Sequence, residues 1–304
     1  MHDIRTIRDN PAAFDAALAR RGVAGMSSVL LIMDNDRRTA IHTAETATAA
    51  VNLLSKQAGE AKKRGDTQAF DSLREAVNAQ KTMIAEAEAL AKDHDQRLTD
   101  LLLTIPNLPY DDVPDGTDEQ GNTEIHRHGS PRNFSFAAKE HFDISAVATG
   151  MDFAAGAKLS GARFVVLSGS TARLHRALAQ FMLDTHIDSH GLQETITPVL
   201  VRPEMMQGTG QLPKFAEDSY ETTNGWWLIP TAEVTLTNMV HGDTVDEGTL
   251  PRRYVAHTNC FRSEAGSAGR DTAGMLRQHQ FEKVEMVTIC TPDTALAEHD
   301  RMTR

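Results

Sequence analysis

Residues 27–104 read SSVLLIMDNDRRTAIHTAETATAAVNLLSKQAGEAKKRGDTQAFDSLREAVNAQKTMIAEAEALAKDHDQRLTDLLLT. The stretch has no proline, its glycines are Gly59 and Gly65, and alanine, glutamate, lysine and leucine dominate it. Steps alternating between three and four residues pick out Leu30, Met33, Arg37, Ala40, Ala44, Ala47, Val51, Leu54, Ala58 and Ala61, then Phe70, Leu73, Val77, Gln80, Ile84, Ala87, Ala91, His94, Leu98 and Leu101. This is the heptad spacing of two helices, each presenting one seam to a partner. Between the seams, Arg64-Gly65-Asp66-Thr67 offers a glycine to end one helix and Asp or Thr to cap the next. The pattern predicts an antiparallel helical hairpin, its helices about 32–35 residues long and reaching roughly 50 Å at about 1.5 Å per residue. Such an arm is too narrow to be a core, and Arg37, Gln80 and His94 read as polar residues tolerated at the seam's edge.

The rest of the 304-residue chain differs in texture. Prolines and glycines return after Ile105, in Pro106-Asn107-Leu108-Pro109 and Pro114-Asp115-Gly116. They mark a linker over 105–128, between an N-terminal domain of 1–104 and a second domain of 129–304. Ahead of the arm, Ile4, Ile7, Phe14 and Leu18, with Asn10-Pro11 as cap and first-turn proline, read as a short helical start packed at its base. In the second domain a helix over Thr171–His190 carries Leu174, Leu178, Phe181, Met182 and Thr185 on one side and stops at Gly191. Glu194–Leu200 then reads as a strand, and its Pro198 suits an edge or a partner interface.

Composition narrows the function classes. Cys260 and Cys290 lack disulfide or zinc spacing, and no apolar run approaches the roughly 18–20 residues of a spanning helix, so a cytoplasmic protein with no membrane partner is expected. Lys+Arg 31 against Asp+Glu 42 gives a net charge of -11, which excludes a protein that coats nucleic acid through its overall charge. Any RNA contact must be local. Lys56, Lys62, Lys63 and Arg64 cluster near the arm's tip, either as a solvated helix end whose cations suit the dipole or as a phosphate contact.

Chemistry concentrates near the end of the chain. Tyr254–Arg262 and Leu276–Val287 read as paired strands, joined by a glycine-rich connection longer than a tight turn. Period two puts Arg277, His279, Phe281, Lys283 and Glu285 on one face, a composition unsuited to an apolar core. The other face, Gln278, Gln280, Glu282, Val284 and Met286, is polar too, so periodicity does not by itself say which side is functional. Arginines match phosphate oxygens, an aromatic ring offers a platform for a base, and a carboxylate can hold an ammonium. Neither GxxxxGK[ST] nor GxGxxG after a strand occurs, so a nucleotide here would be gripped by a sheet.

The string FRSEAGSAGRDTAGMLRQHQFEKVE closely resembles motif 2 of the seryl-tRNA synthetases, a class II aminoacyl-tRNA synthetase family. GLQETITPVLVRPEMMQGTGQLPKFAEDSY resembles their motif 1 with the loop after it, IPTAE their serine-recognition element, and residues 27–104 their tRNA-binding coiled coil. The resemblance implies an α+β protein: the helical hairpin, followed by a class II antiparallel sheet flanked by helices. It implies ATP-dependent activation of L-serine to seryl-adenylate, then transfer to the 3′ end of tRNA(Ser), with tRNA(Sec) as a further acceptor. Carried over by residue, Arg262 holds the α-phosphate with Arg277 assisting, Ser263 and Glu264 complete the nucleotide contact, and Phe281 stacks on adenine. Thr231, Ala232, Glu233 and Glu285 form the serine site, Pro198 lies at a homodimer interface, Arg270 touches phosphate or the tRNA end, and Lys56, Lys62, Lys63 and Arg64 meet tRNA. His279 and Lys283 fit surface or supporting roles equally well. No motif 3 follows before Arg304, so a truncated chain is expected, with little or no activation activity alone and with the Mg²⁺ ligand outside it. A non-catalytic RNA-binding or regulatory relative is the alternative.

Overall fold

The computed structural model describes residues 2–265, 269 and 273–304. They form two compact units, Met1–Gly129 and Ser130–Arg304.

In the first unit, short helices α1 (Ile4–Asp9) and α2 (Pro11–Ala19) precede the long α3 (Ser27–Arg64) and α4 (Thr67–Thr104). Local caps start and stop them. Asp3 accepts from Arg5 N–H, Asn10 from Ala13 N–H ahead of Pro11, and Asp66 from Ala69 N–H at 3.0 Å. Gly65 takes φ 75°, the left-handed conformation that turns the chain without a Cβ penalty. Because that turn spans only two residues, each long helix runs to 38 residues, about 57 Å at 1.5 Å per residue and longer than the seam count predicted. Ala40, Ala47, Ala58, Ala61, Ala87 and Leu98 are buried along the seam, where alanine lets the backbones approach. At its base Ile7, Phe14, Leu18, Leu30, Leu98, Leu102 and Ile105 close one apolar cluster, each fully buried large side chain contributing about 1.5–3 kcal/mol.

Arg37 is more than an edge residue. It binds Asp34 at 3.0 Å and crosses the hairpin to Asp95 at 3.0 Å, while Arg8 binds Asp34 at 2.6 Å. Burial pushes the Asp34 carboxyl up, but hydrogen bonds from Arg8 and Arg37 outweigh it and leave the group below the usual carboxylate range. A depressed acid contributes its stability above the unfolded carboxylate range, about pH 4, and loses it as pH falls through the still lower folded value. Asp34→Ala is expected to cost about 2 kcal/mol, below the range for a wholly buried pair because both arginines retain access to water. Helical circular dichroism during denaturant unfolding reads this, and a change under about 0.5 kcal/mol would show the network to be ornamental.

The segment after the arm is clasped to the same unit. Arg20 donates to Tyr110 O at 3.1 Å and binds Asp115 at 2.9 Å, and Arg21 donates to Asn107 O at 2.7 Å. The stretch that reads as linker is therefore fastened as far as Asp115.

In the second unit, α5 (Ser145–Ala148) leads to β1 (Met151–Asp152), α6 (Phe153–Ser160) and β2 (Val166–Leu167), which pairs antiparallel with β1. Helix α7 (Gly169–Asp184) continues as a π-helical turn over Thr185–Ser189, so the helical path stops within one residue of where its sequence pattern predicts. The apolar side expected of it faces outward: Leu174, Leu178, Phe181 and Met182 are exposed, whereas Thr171, Ala179 and Leu183 are buried. The strand expected over 194–200 divides into β3 (Gln193–Glu194) and β4 (Leu200–Val201), which join different sheets. Pro198, without an N–H, lies in the unpaired stretch between them. After α8 (Pro203–Gly208), β5 (Tyr220–Glu221) and β6 (Trp227–Leu228) complete an antiparallel sheet of order β4-β6-β5. Helix α9 (Glu233–Asn238) then precedes the long pair β7 (Arg252–Phe261) and β8 (Gln280–Ile289), and α10 (Ala295–Thr303) closes the chain. β7 and β8 are antiparallel but β3 joins β7 in parallel, so this sheet is mixed rather than wholly antiparallel.

Candidate active site on the β7–β8 face

Register decides which side chains meet. Cys260 lies opposite Phe281, Thr258 opposite Lys283 and Ala256 opposite Glu285, so Phe281, Lys283 and Glu285 share one face. Arg277 and His279 do not lie on the strand, because β8 begins only at Gln280. Gly274 explains part of that late start: its φ is 71°, and a Cβ there would stand 2.4 Å from His141 Nε2. The neighbouring Met275 N–H donates to the same nitrogen at 2.8 Å.

Arg262 follows the last residue of β7. Its guanidinium lies over the Phe281 ring, 5.3 Å from the centroid, a cation–π contact that occupies one face of the expected base platform. Ser263 is held by its N–H to Asp218 O at 2.9 Å, and its hydroxyl donates to Glu217 O. Glu264 takes φ 53°, rare for a residue with a side chain, and binds Arg277 at 3.3 Å. Arg262, Glu264, Arg277, Phe281, Phe164 and Gln280 contribute to the walls of a cleft of about 840 Å³. Arg270 lies outside the described residues.

Further along the same face is a polar cluster. Glu285 Oε2 accepts from the Thr231 hydroxyl and from Glu233 N–H at 3.1 Å. Lys283 Nζ stands 2.6 Å from Thr231 Oγ1 and 2.8 Å from Glu285 Oε1. Two of the sequence-derived positions act differently from expectation. Glu233 contributes its backbone N–H to the cluster, and its residue is exposed. Ala232 is fully buried among Leu236, Tyr254 and Ala256, so it shapes the floor from beneath. The sequence context of Lys283 fits a surface or a supporting role equally well, and its place two residues from both Phe281 and Glu285 is the signal that puts it on their face. Opposite Phe281, burial pushes the Cys260 thiol up, keeping it a neutral packing group.

The other face of the pair is tied to α7, and its Glu282, with His175 of α7, also lines the cleft. Glu282 Oε2 lies 2.7 Å from His257 Nε2 and 3.1 Å from His175 Nε2, tying β7 and β8 to α7. Among the described residues no group of three or more His, Cys, Asp or Glu could hold a metal ion. Among the described residues no helix is long and apolar enough to cross a membrane. Pro198 and the tip residues Lys56, Lys62, Lys63 and Arg64 are exposed, and Lys62 Nζ lies 5.8 Å from the Phe70 centroid across the hairpin turn.

The serine–tRNA ligases of Paracoccus denitrificans and Ruegeria pomeroyi are each 62% identical over 304 residues, covering 100% of this chain and 71% of theirs. The chain belongs to the seryl-tRNA synthetase family. Residues 1–109 match the seryl-tRNA synthetase N-terminal domain, and residues 216–304 the tRNA synthetase class II core domain (G, H, P, S and T). The seryl-tRNA synthetase of Pyrococcus horikoshii, crystallised with ATP, superposes with a TM-score of 0.87 at 30% identity, covering 100% of this chain and 73% of that one. A cytoplasmic serine–tRNA ligase from Naegleria fowleri shares the fold, with a TM-score of 0.81 at 23% identity and 74% of its chain covered. Against these relatives, the seryl-tRNA synthetase hairpin corresponds to α3 and α4 and the class II core to the unit that carries β7 and β8.

Proposed function

We propose that this chain binds ATP and L-serine on the β7–β8 face for seryl-adenylate formation, and tRNA(Ser) through the arm, with tRNA(Sec) as a further acceptor. The observation that carries the reading is the alignment of Phe281, Lys283 and Glu285 on one face, with Arg262 over the ring and Thr231 against the carboxylate. In the first step the serine carboxylate attacks the α-phosphate and pyrophosphate leaves; in the second a terminal ribose hydroxyl takes the seryl group. Neither needs a dedicated acid–base pair, so positioning and charge stabilisation carry the rate. Arg262 and Arg277 grip phosphate oxygens, Phe281 stacks on adenine, and Ser263 and Glu264 set the angle at which the strand end meets the nucleotide. Glu285 holds the serine ammonium, and Lys283 with Thr231 orients that carboxylate. The hydroxyl pocket rejects alanine by leaving buried polar groups unpaired. Mg²⁺ accompanies ATP in such chemistry, and among the described residues no group of three or more His, Cys, Asp or Glu marks a site for it. These 304 residues span 71% of the relatives' length.

Calorimetric titration with a non-hydrolysable seryl-adenylate analogue tests the reading. One-to-one saturable binding, competed by ATP with L-serine, is expected; no binding, or equal competition by alanine, would overturn it.

The exposed Leu174, Leu178 and Phe181 on α7, with Ile196 and Pro198 ahead of β4, support a second copy of the chain as partner, giving the homodimer. For the arm, the supporting feature is three consecutive cations, Lys62, Lys63 and Arg64, at an exposed helix end with Lys56 two turns before them. Replacing Lys62, Lys63 and Arg64 with alanine is expected to weaken tRNA binding and to lower the slope of log affinity against log salt by about 2–3. An unchanged slope would reduce the cluster to a solvated helix end.

A further inference from the structure

The β7–β8 ladder ends with Phe261 opposite Gln280, and one further step would set Arg262 opposite His279. Half of that step is made: Arg262 N–H donates to His279 O at 2.9 Å. The reciprocal backbone bond is replaced. His279 N–H turns instead to Arg163 O at 3.1 Å, and the Arg262 carbonyl meets the His279 ring at Nδ1, 3.0 Å away. A carbonyl only accepts, so Nδ1 carries the hydrogen and the neutral ring has its lone pair on Nε2. Phe164 and Tyr220 fix the ring, with centroids 5.3 and 6.4 Å away. Arg163, which draws off the backbone N–H, holds φ 61°, a conformation that persists in a side-chain-bearing residue only where its surroundings impose it.

We propose that His279 is a positioning residue for Arg262, its Nδ1–H closing the ladder that its own backbone N–H has left. The bond fixes the backbone from which Arg262 reaches the α-phosphate, and it couples the Arg163 segment to that point. The inference rests on Arg262 as a phosphate ligand. The geometry is selective. Asparagine places its Nδ2 at the same distance from Cβ as histidine Nδ1, glutamine places its amide one carbon further, and alanine has no donor.

ATP titration of the 304-residue chain and of His279→Asn, His279→Gln and His279→Ala tests it, with Arg262→Ala as reference. Loss of about three- to tenfold in affinity is expected for the alanine and glutamine variants, the scale of one hydrogen bond, with the asparagine variant within about twofold of the parent. Nitrogen-15 spectra of the parent should show the neutral His279 ring protonated at Nδ1, a readout independent of ATP and of how any variant folds. Parent-like affinity in the alanine or glutamine variant, an asparagine variant as weak as alanine, or a proton on Nε2 would overturn the proposal. Should Arg262→Ala itself bind ATP like the parent, the phosphate role of Arg262 fails, and the ring proton still decides the hydrogen bond.

Discussion

Arg262→Ala weakens ATP binding about 10- to 100-fold: this is the expected result of removing a charge-assisted hydrogen bond, about 1.5–3 kcal/mol, at a position open to the cleft. The guanidinium lies over Phe281 and is aimed by the end of β7, so its loss removes a phosphate contact and a cation–π contact together. Its backbone bond to His279 is untouched by the substitution, so only the lost cation–π contact bears on stability, and the unfolding midpoint should fall by no more than about 4 °C for a change of about 0.5–1 kcal/mol. Arg262→Lys keeps the charge and loses the planar fork, and should recover only part of the affinity. Calorimetry with ATP checks both variants. Affinity within about twofold of the parent in the alanine variant would remove Arg262 from the phosphate role.

Glu285→Gln should act on the other half of the site. The carboxylate is mostly buried, accepts from Thr231 and Glu233 N–H, and faces the Lys283 ammonium at 2.8 Å. Glutamine preserves shape and one acceptor but removes the charge that would hold a second ammonium, that of serine. Truncating a desolvated charge pair costs about 2–5 kcal/mol, so the seryl-adenylate analogue should bind at least about 30-fold more weakly. ATP alone, whose proposed contacts are Arg262, Arg277 and Phe281, should bind as before. Equal losses for ATP and the analogue would mean that the substitution had deformed the face; unchanged analogue binding would take the serine ammonium away from Glu285.

The arm was legible because its physics is local. A heptad seam, a left-handed glycine and an aspartate cap each act within a few residues, and Gly65 and Asp66 appear where the spacing put them. The apolar stripe of α7 misled for the opposite reason. Periodicity reports that one side avoids water but not what covers it, and Leu174, Leu178 and Phe181 are exposed in this chain. The 194–200 strand failed because strand identity depends on a partner, and its two ends pair with different ones.

By itself the sequence determined the hairpin, the order of the motifs, the family likeness and the residue types available for phosphate, base and ammonium. Only the tertiary structure decided how they are used: that Glu233 offers its N–H, that Ala232 is floor, that Lys283 joins Glu285, and that His279 spends its backbone donor on Arg163 and its ring on Arg262. Helix seams and caps are set by neighbours in sequence, whereas these assignments follow from strand register and from loops more than a hundred residues away. No local pattern encodes which donor remains for which acceptor.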